Sequence, residues 1–277
     1  MTSVVTGDAG FARPWRLSRR AARTLKGVTG IVLMLVAWQV SVPIIGMSSY
    51  FYPAPLDVWA AFVDLVRKGV LPIYIADSLG RYGAGVGIGA ALGIVFGIAI
   101  GLSRRTSLAF SPLFKFLFAL VEVAWIPIFV VWFGYGVKTI VLALIYVVFF
   151  PVMYNTLLSV RTAPAVLVNA VRSLGGGRIA VMRYVILPSA LPGMITGLRL
   201  AAGFAFRGLV FGEFIAAKTG VGYLIFEGAQ SQQTSRSIVG MIIMGLMWLA
   251  IDQFYLRPFE RATVQRWGLI VDAADRR

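Results

Sequence analysis

This 277-residue chain carries a few charged side chains inside long apolar stretches, and these are its candidate functional residues. Glu122, Arg207 and Glu213 lie well inside such stretches, and Arg199 and Asp252 lie nearer to their ends. A charge at membrane depth costs several kcal/mol unless it is paired or hydrated, so each is a functional candidate. The chemistry open to these groups is the binding or relay of a charged solute or of a proton.

The composition argues against covalent catalysis and for a membrane protein. The chain has no His and no Cys, which removes the usual general base, the thiolate nucleophile and the commonest metal ligands. It is 59% hydrophobic and 13% charged, whereas soluble domains are about 45–50% apolar and about 25% charged. We therefore predict an all-α, polytopic membrane protein that is not an enzyme.

Six apolar runs are each long enough to cross a hydrocarbon core of about 30 Å, which takes roughly 20 helical residues. A shorter segment, 56–69, has helical periodicity on one face and is predicted to lie on the outer surface. Segment 218–236, with Gly220 and Gly222, is predicted to be an outer loop over the pore mouth. The predicted spans are 28–45, 79–102, 112–133, 137–158, 190–216 and 237–256.

The basic residues predict the orientation of these spans. Of the Lys and Arg residues that lie outside the runs or at their very ends, 17 lie on one side and 5 on the other. The positive-inside rule therefore places a basic arm, 1–27, the loop 159–188 and a tail, 257–277, in the cytoplasm. The net charge of +15 would indicate nucleic acid in a soluble protein, but here it indicates membrane lipid as the partner and no nucleic acid.

Five glycines recur every fourth residue in the second run, so they share one helix face. Small residues at this spacing let two membrane helices approach closely. We predict a tight helix seam along this face, made by Gly85, Gly89, Gly93, Gly97 and Gly101.

The loop 159–188 is basic and is interrupted by a glycine triplet at 175–177. The triplet favours a sharp turn between two short helices, predicted at 164–174 and 178–187. Leu187 and Pro188 are predicted to end the second helix. A basic helical elbow of this kind is more than a connection needs, so we predict a docking surface.

The elbow resembles the cytoplasmic loop of ABC-importer permeases. That loop has the pattern Glu-Ala-Ala, three residues, Gly, nine residues, Ile or Val, any residue, Leu-Pro. Asn169 and Val171 depart from it, standing where the family has Glu and Ala. Together with the segments FYPAPLDVWAAF, AWIPIFVVWFGYG and GLRLAAGFAFRGLVFGEF, the loop resembles the nitrate/sulfonate/taurine/bicarbonate branch. The residues that match the pattern are Ala170, Gly175, Val185, Leu187 and Pro188.

This resemblance implies a type I ABC importer permease in the bacterial inner membrane, with both termini cytoplasmic. It implies a second permease copy, an outer substrate-binding protein and separate ATPase subunits that hold ATP and Mg, with no cofactor on this chain. The chain has no phosphate-binding loop of its own; its fragments GVKT and AKTG lack the spacing. The residues expected to couple to the ATPase are Asn169, Ala170, Arg172, Ser173, Leu174, Gly175 and Gly176.

The same resemblance implies that a small anionic solute such as a sulfonate or nitrate crosses the membrane. The charges at membrane depth predict that its path includes Glu122, Arg207 and Glu213, together with Trp125, although the family more often has apolar residues at positions 122 and 207. Arg207 could hold the anion in transit, or it could form a structural ion pair with Glu122. For Glu213, near the outer end, we expect a gate or a helix contact. We expect Arg199 to snorkel to the interface and Asp252 to be a boundary residue.

Two prolines, Pro127 and Pro151, fall inside predicted spans and favour kinks. Among other function classes, an ion-coupled secondary transporter would use Glu122 or Asp252, although no inverted repeat is evident. An ABC permease for a non-anionic organic solute is the other alternative. An integral membrane enzyme would need a catalytic constellation, which this composition does not supply.

Overall fold

The computed structural model describes residues 19–260, and the regular structure in this range is helical. Residues 1–18 and 261–277, which hold most of the predicted arm and tail, lie outside the described residues. A 3-10 turn spans Glu122–Ala124, and π-helical segments span Met182–Ile186 and Asp252–Leu256. The helices are α1 Arg19–Ile45, α2 Pro55–Arg67, α3 Val70–Leu102, α4 Arg104–Ala119, α5 Trp125–Phe133, α6 Val137–Arg161, α7 Ala165–Ser173, α8 Arg178–Val181, α9 Leu187–Ala216, α10 Val221–Gln230, α11 Thr234–Ile251 and α12 Arg257–Glu260.

Helix α6 lies at the centre of the bundle, between α3 and α9, and its buried Leu144 and Val148 belong to the main core. Helix α3 runs parallel to α6, and α9 runs antiparallel to it, since Gly197 packs on Asn155 and Gly212 on Ile140. The bundle therefore has two ends. We call them the α10 end, which also carries α2, and the α7 end, where α3, α6 and α11 finish.

The predicted glycine seam on α3 is present, and its partner is α6. A Cβ atom on Gly93 would lie 2.8 Å from the carbonyl oxygen of Phe149 and 2.9 Å from Cβ of Val152. Each glycine of the seam meets a different α6 side chain, four residues further along each time. The α6 partners, in order from Gly85 to Gly101, are Leu144, Val148, Val152, Thr156 and Val160.

Four stretches of the described chain are long and apolar enough to cross a membrane, where six were predicted. Helix α4 and the segment that begins at Glu122 form a bent pair that would make a fifth span. The apolar part of α1, Thr29–Ile45, is shorter than these. The four stretches are Val70–Leu102, Val137–Arg161, Arg178–Ala216 and Thr234–Leu256.

The predicted span over 112–133 is not one continuous helix, because the chain breaks at Leu120 and Val121. Both residues are extended, and the two helical pieces meet at 82°. Tyr146 donates a hydrogen bond of 2.6 Å to the carbonyl of Leu117, which also accepts from the Leu120 N–H at 3.2 Å, so the end of α4 is fastened to α6. Pro127 is the third residue of α5, where its missing N–H has no intrahelical acceptor, so it does not cause the bend.

The predicted helix end at Leu187 and Pro188 is also wrong. Helix α8 continues through the π-helical segment Met182–Ile186 into α9. This segment finishes two residues before Pro188, and the segment Asp252–Leu256 finishes two residues before Pro258. A wider turn makes room for a proline ring, which otherwise clashes with the carbonyl four residues earlier. The predicted outer loop 218–236 likewise contains a helix, α10.

We predict that Gly93→Ala lowers the free energy of unfolding by about 1–3 kcal/mol, the usual cost of overpacking. The added methyl would contact a backbone oxygen of α6, which cannot rotate away. Denaturation in mixed micelles measures the effect. Gly87→Ala on the same helix is the control, because a Cβ atom there meets nothing within 4 Å. Equal stability of the two variants would show that the seam is not a close contact.

Candidate functional site

A buried polar cluster joins α3, α9 and α10 near the α10 end, and we call it the Glu213 cluster. The Glu213 side chain is 0% exposed and pairs with Arg81 at 2.7 Å from Oε1 to Nη1. Ser78 donates to the carboxylate at 2.8 and 2.9 Å, and the Gly222 N–H donates to Oε2 at 2.8 Å. The buried carboxylate is therefore fully engaged by groups of this chain, as a buried charge requires.

The same cluster fixes the turn that enters α10. Arg81 donates to the carbonyl oxygen of Thr219 at 2.6 Å and to its hydroxyl at 2.7 Å. The Ser78 hydroxyl accepts from the Val221 N–H at 2.9 Å. Gly220 has φ +116°, and a Cβ atom there would collide with the Glu213 carboxylate. The turn can therefore take this shape only with glycine at position 220.

For Glu213 the structure shows the helix contact, one of the two roles expected from its sequence position. A part in the translocation path stays a prediction for this residue. Sequence reasoning missed Arg81 and Ser78 as its partners. The available signal was that Arg81 and Glu213 are opposite charges at the outer ends of two apolar runs, although 132 residues separate them.

At the α7 end, Asp252 is an ion-pair centre and not merely a boundary residue. It lies 3.5 Å from Arg199 of α9 and 2.8 Å from Arg257. Arg199 thus pairs with a carboxylate of α11, where snorkelling alone was expected. The Arg199 pair joins α9 to the end of α11, where the π-helical segment begins at Asp252, and the Arg257 pair lies within the continuation of α11.

Helix α7 ends in a Schellman motif built on two glycines. Gly175 has φ +81°, and its N–H donates to the Arg172 carbonyl at 3.0 Å. The Gly176 N–H donates to the Val171 carbonyl at 2.9 Å, and a Cβ atom on Gly176 would lie 2.7 Å from that same oxygen. Both positions therefore require glycine for this helix end.

No side chain of α7 is buried, and the helix carries apolar groups into solvent. Leu174, directly after α7, is 89% exposed, and Val166, Leu167 and Ile179 are exposed as well. Exposed apolar side chains grouped on and beside one helix favour a contact surface for another protein. The exposed residues also include most of the predicted coupling residues, namely Asn169, Ala170, Arg172, Ser173 and Gly175, while Gly176 is partly covered.

The structure does not pair Glu122 with Arg207. Glu122 begins the 3-10 turn after the break and is half-buried, and Arg207 is exposed on α9. Among the ion pairs of residues 19–260, none joins these two side chains within one chain. Trp125 packs its ring on Tyr146 at 5.4 Å and on Phe129 at 5.8 Å between ring centroids.

Arg207 lies in a row of exposed residues along one face of α9, which we call the α9 stripe. The members recur at intervals of three and four residues, so they line a single helix face. Each is exposed in the isolated chain, and the other four are apolar. A lone arginine near the middle of this face favours contact with protein or water there, because a cation facing lipid is costly. The α9 stripe consists of Leu200, Phe204, Arg207, Phe211 and Ile215.

We predict that Glu213→Ala lowers the free energy of unfolding by about 3–5 kcal/mol, because it leaves Arg81 buried without its main partner. The double change Arg81→Met with Glu213→Leu should recover more than half of this loss, since it removes both charges. Unfolding in mixed micelles measures both. Lys68→Ala, which breaks an exposed pair on α2, is the control and should cost less than about 1 kcal/mol. A double variant no more stable than Glu213→Ala would contradict the pairing.

The sequence of this chain is similar to those of known transport permeases. The family model described as "Binding-protein-dependent transport system inner membrane component" matches residues 89–256. A putative aliphatic sulfonates transport permease of Bacillus subtilis (strain 168) is 33% identical, with 86% of each chain covered. The taurine transport system permease of Escherichia coli (strain K12) is 31% identical over 91% of this chain and 90% of its own. The bicarbonate transport system permease of Synechococcus elongatus is 29% identical over 93% of each.

Solved structures show the same fold at low sequence identity. A chain of the MetNI methionine ABC transporter in an inward-facing conformation superposes with a TM-score of 0.59 at 16% identity. The match covers 70% of this chain and 96% of that one. A chain of an amino acid ABC transporter gives 0.59 at 19% identity, over 73% and 98%. The chain therefore belongs to the family of binding-protein-dependent transport system inner membrane components, within the nitrate/sulfonate/taurine/bicarbonate branch, and is a permease subunit of an ABC importer whose ATPase is a separate subunit.

Proposed function

We propose that this chain forms a homodimer that passes a small anionic solute from an outer binding protein to the cytoplasm, driven by two ATPase subunits. The observation that carries this proposal is the exposed helix α7, whose apolar side chains and glycine-built end have no role inside the bundle. It lies in the segment that resembles the coupling loop of the family. We infer that this helix docks in the ATPase.

The chain supplies a mechanical connection from α7 to the far end of the bundle. Only the glycine turn separates α7 from the helix over Arg178–Ala216. That long helix packs along α6. Near its end it carries Glu213, which accepts a hydrogen bond from the turn into α10. A displacement of α7 by the ATPase would therefore reach the α10 end through one helix. This is the physical support for α7 as the coupling helix.

The proposed orientation places the α7 end in the cytoplasm and the α10 end outside. It rests on the excess of basic residues on the α7 side and puts both termini in the cytoplasm. Six crossings then require that α1 and the bent α4–α5 pair each cross once. Outside, a polar groove of about 390 Å³ lies between α2 and the start of α11, lined by Asp64, Thr234 and Arg236 among others. We propose this groove as part of the surface that meets the binding protein.

The proposed path runs along the α9 stripe, where the second copy would face the first. Arg207 is the exposed cation on that face, so an anion crossing the membrane would find it there. The three relatives compared above are named for aliphatic sulfonates, taurine and bicarbonate, each of which carries an anionic group. We propose that Glu122, Trp125 and Arg207 line this path. We propose that Glu213 stabilises the helix arrangement at the outer end of the path.

We predict that Gly175→Val uncouples ATP hydrolysis from transport or detaches the ATPase. A β-branched residue is strained at φ +81°, so the end of α7 would unwind where the partner docks. Co-purification of the ATPase, with ATPase and uptake assays in proteoliposomes, measures this. The matched control is Gly177→Val, since Gly177 has φ −76° and a Cβ atom there meets nothing within 4 Å. Normal assembly and uptake in the Gly175 variant would refute the docking role.

The orientation can be tested by single cysteines, because the chain has none of its own. We predict that Arg178→Cys is labelled by a membrane-impermeant maleimide only from the cytoplasmic side, and Gln232→Cys only from outside. Intact cells and inside-out vesicles give the two readings. The opposite labelling pattern would reverse the proposed topology.

A further inference from the structure

A small pocket lies where α4 and α5 break apart, and we call it the Glu122 pocket. It has a volume of about 170 Å³, which is below the roughly 300–1,000 Å³ of typical small-molecule sites and suits a single head group. Apart from aliphatic groups, it presents one carboxylate and four aromatic rings. The residues with these groups are Glu122, Phe118, Tyr146, Phe150 and Phe204.

This lining has the chemistry of a site for a small organic cation. Aromatic faces attract ammonium groups, and more strongly where water is excluded. Glu122 adds a negative charge, and no ion pair among residues 19–260 satisfies it. The Tyr146 hydroxyl is committed to the Leu117 carbonyl, which leaves the tyrosine ring rather than its donor to the pocket. Among the described residues the Glu122 carboxylate is therefore available to a cation from outside the chain.

The Glu122 pocket adjoins the α9 stripe through Phe204, which belongs to both. Arg207 follows Phe204 by three residues, so the two lie next to each other on the helix face. Long side chains on a helix lean toward its N-terminus, which for Arg207 is toward Phe204. The cation of Arg207 and the Glu122 pocket therefore adjoin through Phe204.

We propose that the Glu122 pocket receives the ammonium group of a zwitterionic solute whose anionic group is held by Arg207. This inference rests on the proposed function and narrows its solute to short amino-sulfonates and similar zwitterions. It also explains why two opposite charges in the bundle are kept apart within one chain. A direct ion pair would occupy both sites, whereas two separated charges can each bind one end of a solute.

The test uses three matched probes on the permease purified with its ATPase in lipid nanodiscs. Taurine carries both charges, ethanesulfonate lacks the amino group, and ethylammonium lacks the sulfonate. Saturation-transfer NMR and titration calorimetry give their affinities. Glu122→Gln should weaken taurine and ethylammonium roughly tenfold or more, as loss of one partner of a desolvated charge pair does, and leave ethanesulfonate unchanged. Arg207→Gln should weaken taurine and ethanesulfonate but not ethylammonium.

Two further variants separate binding from folding. Phe204→Leu keeps an apolar side chain but removes one ring, and should weaken ethylammonium and taurine but not ethanesulfonate. Glu227→Gln, on α10 outside the pocket, is the charge-matched control and should change none of the three. Assembly with the ATPase is checked for each variant.

The inference is overturned if Glu122→Gln and Phe204→Leu leave taurine and ethylammonium binding within about twofold of wild type. In that case, a loss of ethanesulfonate binding in Arg207→Gln would still support the anionic path of the proposed function. Failure of all three probes to bind the wild-type complex also overturns it. The coupling role of α7 is judged separately, by the ATPase and uptake assays.

Discussion

The close approach of α3 to α6, side chain against bare backbone, is the contact on which the rest of the structure depends. Lipid tails are as apolar as the helices, so packing must supply what the hydrophobic effect supplies in water. Glycines at every fourth position of α3 let five α6 side chains sink against its backbone. With α6 held in this way, its other side receives α9, and Ser78 and Arg81 of α3 come within hydrogen-bonding distance of Glu213. The polar cluster is thus a consequence of the apolar seam.

The Glu213 cluster in turn gives the α10 end a fixed geometry. Replacing a buried ion pair by apolar residues is often neutral or stabilising, so its presence is weak evidence for stability alone. What the cluster does provide is one specific arrangement of the elements that it joins. Its donors and acceptors come from α3, α9 and the turn at 219–222, and they fit only one arrangement of these elements. A helix that moves at the α7 end therefore acts on a defined structure at the other end.

The sequence predicts those parts of the fold that local spacing determines. The glycine repeat indicated the seam, and the triplet at Gly175 indicated where α7 ends, because a left-handed residue is nearly always glycine. The break at Leu120 was not visible, since an apolar run with a proline gives no sign of where it bends. The partner of Glu213 was missed because Arg81 is distant in sequence and only packing brings them together. The continuation past Pro188 depends on a π-helical segment for which composition carries no signal.

Charges inside the bundle fall into two groups, and the difference is informative about function. Glu213 and Asp252 each pair with an arginine of the same chain, and this pairing offsets the free-energy cost of placing their charges in the membrane. Glu122 and Arg207 have no such ion pair among the described residues, although one lines a pocket and the other lies on an adjoining helix face. A membrane charge left without a partner in its own chain must find one in water, in a second copy or in a solute. Burial and pairing therefore distinguish charges that stabilise the bundle from charges that are available to bind a solute. The sequence alone does not make this distinction, because all four residues are charged and lie in apolar runs.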